Sequence, residues 1–174
     1  MIMSSNISAP SFNVGPDLKK WIIDIRRQIH SNPELSFHEH ETAALIQQKL
    51  NEIGIVSEGG VATTGVIASL AGASSGKGIA LRADMDALPI TEETNLPFCS
   101  NNIGVMHACG HDGHVAMLLG AAALLQAVEL PGAVKLIFQP AEEYGNGALH
   151  VVNAGVLDDV EAVSIPEAGR RGGL

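Results

Sequence analysis

HVAMLLGAAALLQAVELPGAVKLIFQPAEE, running from His114 to Glu143, decides the fold class. From His114 to Leu130 apolar side chains lie almost all round the helical projection, so a helix here has no wet face and must be covered by a sheet. Pro131-Gly132 turns the chain, and Val134 to Phe138 is apolar enough for an interior strand. That strand runs out into Gln139-Pro-Ala-Glu-Glu143.

Working outward, Asp17 to Ser31 reads as an amphipathic helix, with Leu18, Trp21, Ile22, Ile25 and Ile29 at helical spacing and Asn32-Pro33 as its stop. A second helix from Glu39 to Ile53 places Ala43, Ile46, Leu50 and Ile53 on one face and ends at Gly54. Three short β-type runs follow, Ile55 to Glu58, Val66 to Leu70 and Ile79 to Ala83. The third delivers Asp84 and Asp86 at its C-terminal end, where α/β sheets place functional groups. Beyond the quoted stretch, Gly147 to Asn153 reads as a short helix and Ala162 to Ile165 as the start of another strand. Alternating strands and helices, with no internal repeat or long linker, predict an α/β layered sheet.

The composition suits one domain. The chain has 174 residues, 46% of them hydrophobic but only 3% aromatic, so the core must be built from Ala, Val, Ile and Leu. Ten basic against nineteen acidic side chains give a net charge of -9, which repels a phosphate backbone and argues against a nucleic-acid partner. Met1 to Pro10 lacks the basic start and apolar run of a secretory signal. The apolar run Val115 to Val128 is broken by Gly120 and Gln126 and falls short of the ~20 residues of a membrane span. The expectation is a cytoplasmic protein with no membrane partner. A reducing compartment would leave Cys109 free to ligate; a Cys99 to Cys109 disulfide is the alternative that would remove it.

The chemistry concentrates in His107-Ala-Cys-Gly-His-Asp-Gly-His114. A thiolate and an imidazole both bind borderline metals such as zinc, manganese or cobalt, and Gly110 lets Cys109 and His111 converge. If Val134 to Phe138 lies beside the strand ending at Asp84, three loops meet at one sheet edge. They bring together Asp84 and Asp86, Cys109 and His111, and Glu142 and Glu143. Metal-assisted hydrolysis needs this mixture, one glutamate holding metal and its diverging neighbour moving a proton. Singly, Asp84 and Asp86 also read as turn caps and Glu142-Glu143 as a solvated loop. His30, His38, His40 and His150 read as surface or structural, and His114 as a cap or packing residue, with orientation of a neighbour as the alternative.

These motifs resemble the dinuclear metallopeptidases that include aminoacylases and carboxypeptidases. The likeness is to their amidohydrolase branch of hippurate hydrolase, N-acetyl-diaminopimelate deacetylase and indoleacetyl-amino-acid hydrolases. It rests on Arg26-Arg-Gln-Ile-His30 with Asn32-Pro-Glu-Leu35, Leu81-Arg-Ala-Asp-Met-Asp-Ala-Leu-Pro89, Met106-His-Ala-Cys-Gly-His-Asp-Gly-His114 and Phe138-Gln-Pro-Ala-Glu-Glu143. The resemblance implies Cys109, His111 and Glu143 as metal ligands, Glu142 as general acid/base and Asp86 as a carboxylate that orients a ligand. It implies two divalent ions, manganese or zinc, and hydrolysis of the amide bond in an N-acyl amino acid or related small conjugate. It also implies a three-layer αβα sandwich with a central, mostly parallel mixed sheet, truncated before the lid or dimerisation domain.

Past Ser164, relatives continue into Gly-x-His-Val and a further metal-binding histidine, whereas no histidine follows His150 here. The expected organisation is a flexible segment 1–16, the N-terminal part of a metallohydrolase catalytic domain over 17–164, and a divergent tail 165–174 that reads as an altered ending. The alternative function is a truncated, catalytically inactive fragment or pseudo-enzyme of the same family. An exposed apolar edge leaves room for a homo-oligomer.

Overall fold

A computed structural model describes residues 16–165. The flexible segment expected over 1–16 and the divergent tail expected over 165–174 therefore lie outside it, except for Pro16 and Ile165. Its elements in chain order are α1 (Pro16–Ser31), α2 (His40–Glu52), β1 (Ser57–Val61), β2 (Gly65–Leu70), β3 (Gly78–Asp84), α3 (His111–Leu125), β4 (Val134–Gln139), α4 (Gly147–Asn153) and β5 (Val160–Ser164).

The five strands form one mixed sheet in the order β1-β2-β4-β3-β5. β1 pairs with β2, and β2 with β4, antiparallel; β3 lies parallel to both β4 and β5. The period-2 alternation along the strands sorts their side chains between two faces. Val66, Ala68 and Leu70 of β2, Ala83 of β3, and Val134, Leu136 and Phe138 of β4 join one large core with Leu18, Ile25 and Ile29 of α1, Ile46 and Leu50 of α2, and Val115, Leu118, Leu119 and Ala122 of α3. Ala80 and Ile137 on the opposite face meet only Val151 and Val156 among fully buried apolar residues. At about 1.5–3 kcal/mol for each fully buried Leu, Ile, Val or Phe, the layer made by α1, α2 and α3 contributes most of the stability.

The ends of α1 and α2 follow the sequence reading to within one residue, and those of α3 do not. This last helix begins at His111, three positions before the expected start, because Gly110 adopts φ 90 and ψ 15, a left-handed turn that redirects the chain into the helix. It ends at Leu125, where the amides of Ala127 and Val128 tighten onto Leu124 and Leu125 and Val128 turns out to solvent.

The long connection from β3 to α3 folds back along itself. Leu88 and Met106 exchange two backbone hydrogen bonds of 3.0 Å, and the Ala87 amide donates to the Glu34 carbonyl at 2.8 Å. These bonds return the chain to the rim it left after Asp84, and Cys109 with it. No described helix is long and apolar enough to cross a membrane.

Candidate metal centre

β3 and β4 end together, with Asp84 opposite Gln139. The loop after β4 is held by a side chain far away in sequence. Glu39, fully buried at the start of α2, accepts the Ala141 amide on Oε1 at 2.9 Å and the Thr64 hydroxyl on Oε2. Ala141 sits at φ 53, in the left-handed region, where a non-glycine residue needs such support. Asp86 fixes the next stretch: its Oδ2 accepts the Ser36 hydroxyl at 2.7 Å and the Glu143 amide at 2.9 Å.

Cys109, His111 and Glu143 thereby each bring one donor atom to within 4.8 Å of the others. Glu142 stands beside them, with Oε2 3.8 Å from His111 Nε2 and its side chain 41% exposed. The two glutamates diverge: Glu143 buries Oε1 with no hydrogen-bond partner, while Glu142 faces solvent. His111 Nδ1 lies 2.8 Å from the Asp86 carbonyl oxygen. A carbonyl only accepts, so Nδ1 carries the proton and Nε2 is the nitrogen turned toward the other donors. Both cysteines are free thiols, so the disulfide alternative is not adopted.

The electrostatics fit a cation. Burial pushes the Cys109 thiol up to about 11, helped by the Glu143, Glu142 and Asp84 charges. Burial also raises Glu142, again with Asp84 and Glu143 adding to it. Burial alone would lower His111, but the Asp86 carboxylate and carbonyl and the Asp84 charge outweigh it and bring it up to about 9. Burial opposes ionisation of Asp86 too, yet its bonds to His111, Ser36 and the Glu143 amide hold it below the usual carboxylate range. Acids crowded around a thiol and an imidazole repel one another until positive charge enters. Thiolate, imidazole and carboxylate form a donor set for zinc, cobalt or manganese. A cleft of about 360 Å³ between α1 and α2, lined by Gln28, Ile29, Thr42 and Gln48, holds none of these donors.

His30 decides between the surface and the structural role that the sequence left open. It is not a surface residue; it is 5% exposed and fully engaged, with Nδ1 2.8 Å from Asp112 Oδ2 and Nε2 3.2 Å from Glu92 Oε1. Arg26 Nε donates to the same Asp112 oxygen at 3.0 Å. The residue after ligand candidate His111 is thus tied to α1. The spacing of Arg26 and His30, four apart on one helix face, was the available signal. Glu39 and Ser36 carried none, since their partners lie 102 and 50 residues away. His38, His40 and His150 are exposed, as expected. His114 is buried, beside Asp84 and His111.

A sequence profile described as peptidase family M20/M25/M40 matches residues 80–172, just over half of the chain. N-acetyl-L-cysteine deacetylase of Bacillus subtilis (strain 168) is 53% identical over 148 residues, covering 84% of this chain and 36% of that protein. An IAA-amino acid hydrolase of Arabidopsis thaliana is 51% identical over 150 residues, covering 85% of this chain and 32% of its own. Among solved structures, a dinuclear metal-binding peptidase of Bacillus subtilis superimposes with a TM-score of 0.85 at 46% identity, covering 89% of this chain and 44% of that one. The chain spans about a third of the length of the curated relatives it matches.

Proposed function

This chain belongs to peptidase family M20/M25/M40, and on that premise we propose that it serves metal-dependent hydrolysis of the amide bond in N-acyl amino acids or related small conjugates. The observation that carries the reading is the convergence of Cys109, His111 and Glu143 within 4.8 Å, with Glu142 alongside and turned to solvent. Two relatives support the substrate class, since the names N-acetyl-L-cysteine deacetylase and IAA-amino acid hydrolase both describe cleavage of an acylated amino acid.

In this reading Cys109, His111 and Glu143 hold a divalent ion, manganese or zinc, and the whole site takes two such ions. The chemistry such an ion supplies when bound is polarisation of an amide carbonyl and acidification of water. Glu142 accepts a proton from the attacking water at a carboxylate oxygen and returns it to the departing amine. Its raised affinity for protons suits a group that must hold one between those events. Asp86 works at one remove: it keeps the His111 Nδ1 proton in place and, through the Glu143 amide, the direction of that glutamate. The free cysteines suit the reducing cytoplasm.

The test combines metal analysis with release of free amino acid from N-acetyl and N-benzoyl substrates. Glu142→Gln is expected to keep the metal content and lose turnover by about 10²- to 10⁴-fold. Full activity in that variant would refute the role given to Glu142. Metal bound without turnover in the wild-type chain would instead favour the inactive-fragment alternative.

A further inference from the structure

Among the described residues a second set of donors converges beside the first: Asp84, His111 and His114 each bring one ligand atom to within 4.8 Å of the others, and all three are buried. Asp84 closes β3, while His111 and His114 are three residues apart on one face of α3 with ring centroids 5.6 Å apart. His114 is 9% exposed, and neither of its ring nitrogens has a hydrogen-bond partner. A buried polar group left in that state destabilises the fold, and a bound cation would satisfy one nitrogen. Arg82 occupies Asp84 Oδ1 through Nε at 2.9 Å and Nη2 at 2.6 Å, so Oδ2 is the oxygen open to another partner.

His111 decides how the two sets relate. Its Nδ1 is taken by the Asp86 carbonyl, which leaves only the Nε2 lone pair, and one lone pair holds one ion. We propose that Asp84, His111 and His114 form a second, sulfur-free site for a divalent cation that competes with the Cys109 and Glu143 set for His111. The site itself rests on the proposed function's reading of His111 as a ligand, while the competition rests on Cys109 and Glu143 as well. A tetrahedral ion with bonds of about 2.0–2.1 Å sets its donors about 3.3 Å apart, so the three side chains close around it by rotation and leave a fourth position open. Two imidazoles and a carboxylate take zinc, cobalt or manganese. Loss of the Cys109 thiolate, by substitution or oxidation, then shifts the ion inward and does not release it.

Cobalt(II) titration of the full chain tests this, because only the Cys109 set gives a thiolate-to-cobalt charge-transfer band. Wild type is expected to bind one equivalent at His111. Cys109→Ser is expected to bind one equivalent with visible ligand-field bands and no thiolate band. Adding His114→Gln, or separately Asp84→Asn, to Cys109→Ser is expected to weaken that binding at least tenfold while the circular dichroism of the chain is retained. Cobalt absent from Cys109→Ser, or bound there regardless of both added changes, overturns the proposal. So does simultaneous binding of one ion to each set in wild type. A wild-type thiolate band with no cobalt in Cys109→Ser sinks this inference and leaves the proposed function standing. Cobalt in Cys109→Ser that His114→Gln removes, with no thiolate band in wild type, supports this site and removes the ligand role of Cys109.

Discussion

Asp112 is wholly buried at the first turn of α3, and its Oδ2 receives the Arg26 guanidinium and faces His30. His30 passes the connection on to Glu92, which also accepts the Ser100 amide and the Thr94 hydroxyl. Burial opposes ionisation of Glu92, but the bonds from Thr94, Ser100 and His30 outweigh it and hold the carboxyl below its usual 4.5. The folded state therefore binds fewer protons here than the unfolded one. Its stabilising contribution is complete above 4.5 and disappears as pH falls through the lowered value. Glu92→Gln is expected to lower stability by about 1 kcal/mol at neutral pH. The difference from wild type should shrink at about pH 3, measured as urea midpoints at the two pH values. Of these residues the sequence displayed the donor types but not their pairing. Asp112 and His30 are 82 positions apart, and nothing local says that a histidine on an amphipathic helix has a carboxylate waiting for it.

The elements were more legible than their ends. The helix over Gly147–Asn153 has the predicted bounds, and β3 and β4 lie side by side as the convergence of loops required. β1 starts at Ser57 and not at Ile55, because Ile55 is drawn into the core by its bond to Leu50 while its neighbour Val56 faces solvent. α3 could not be bounded by hydrophobic pattern, since its polar first turn, His111 and Asp112, is buried by partners from elsewhere in the chain. The loop that carries the two glutamates is held from behind by α4. A Cβ placed on Gly147 would lie 1.7 Å from the Pro140 carbonyl oxygen, a backbone atom that can yield only if the loop moves. Gly147→Ala is expected to cost about 1–3 kcal/mol and to weaken metal binding, because Pro140 leads directly into Glu142 and Glu143. Calorimetry of unfolding and of zinc binding on the same variant would check both; unchanged affinity would show that the loop adapts without disturbing the donors.

At the scale of the molecule, the sheet is covered unequally. The large core lies on one face, and on the other α4 shelters little beyond Ala80 and Ile137. β5 is an edge strand among the described residues, and Ile79, Val163 and Ile165 are 45%, 43% and 46% exposed. An open strand edge with apolar side chains invites pairing with another copy. The chain is therefore expected to associate as its concentration rises, despite a net charge of -9. Light scattering after size exclusion would show this as an apparent mass that grows with loading, and Val163→Lys should return it toward the monomer. A constant monomer mass over about a tenfold concentration range would contradict the expectation.

The common finish of β3 and β4 has one more result. Donor-bearing segments leave the sheet along the strand direction, at the ends of β3 and β4, whereas β5 offers room for growth sideways, at right angles to the strands. The anchors Glu39, Ser36 and Asp86 all lie off β5, so a strand paired along that edge leaves the loop of Glu142 and Glu143 as it is.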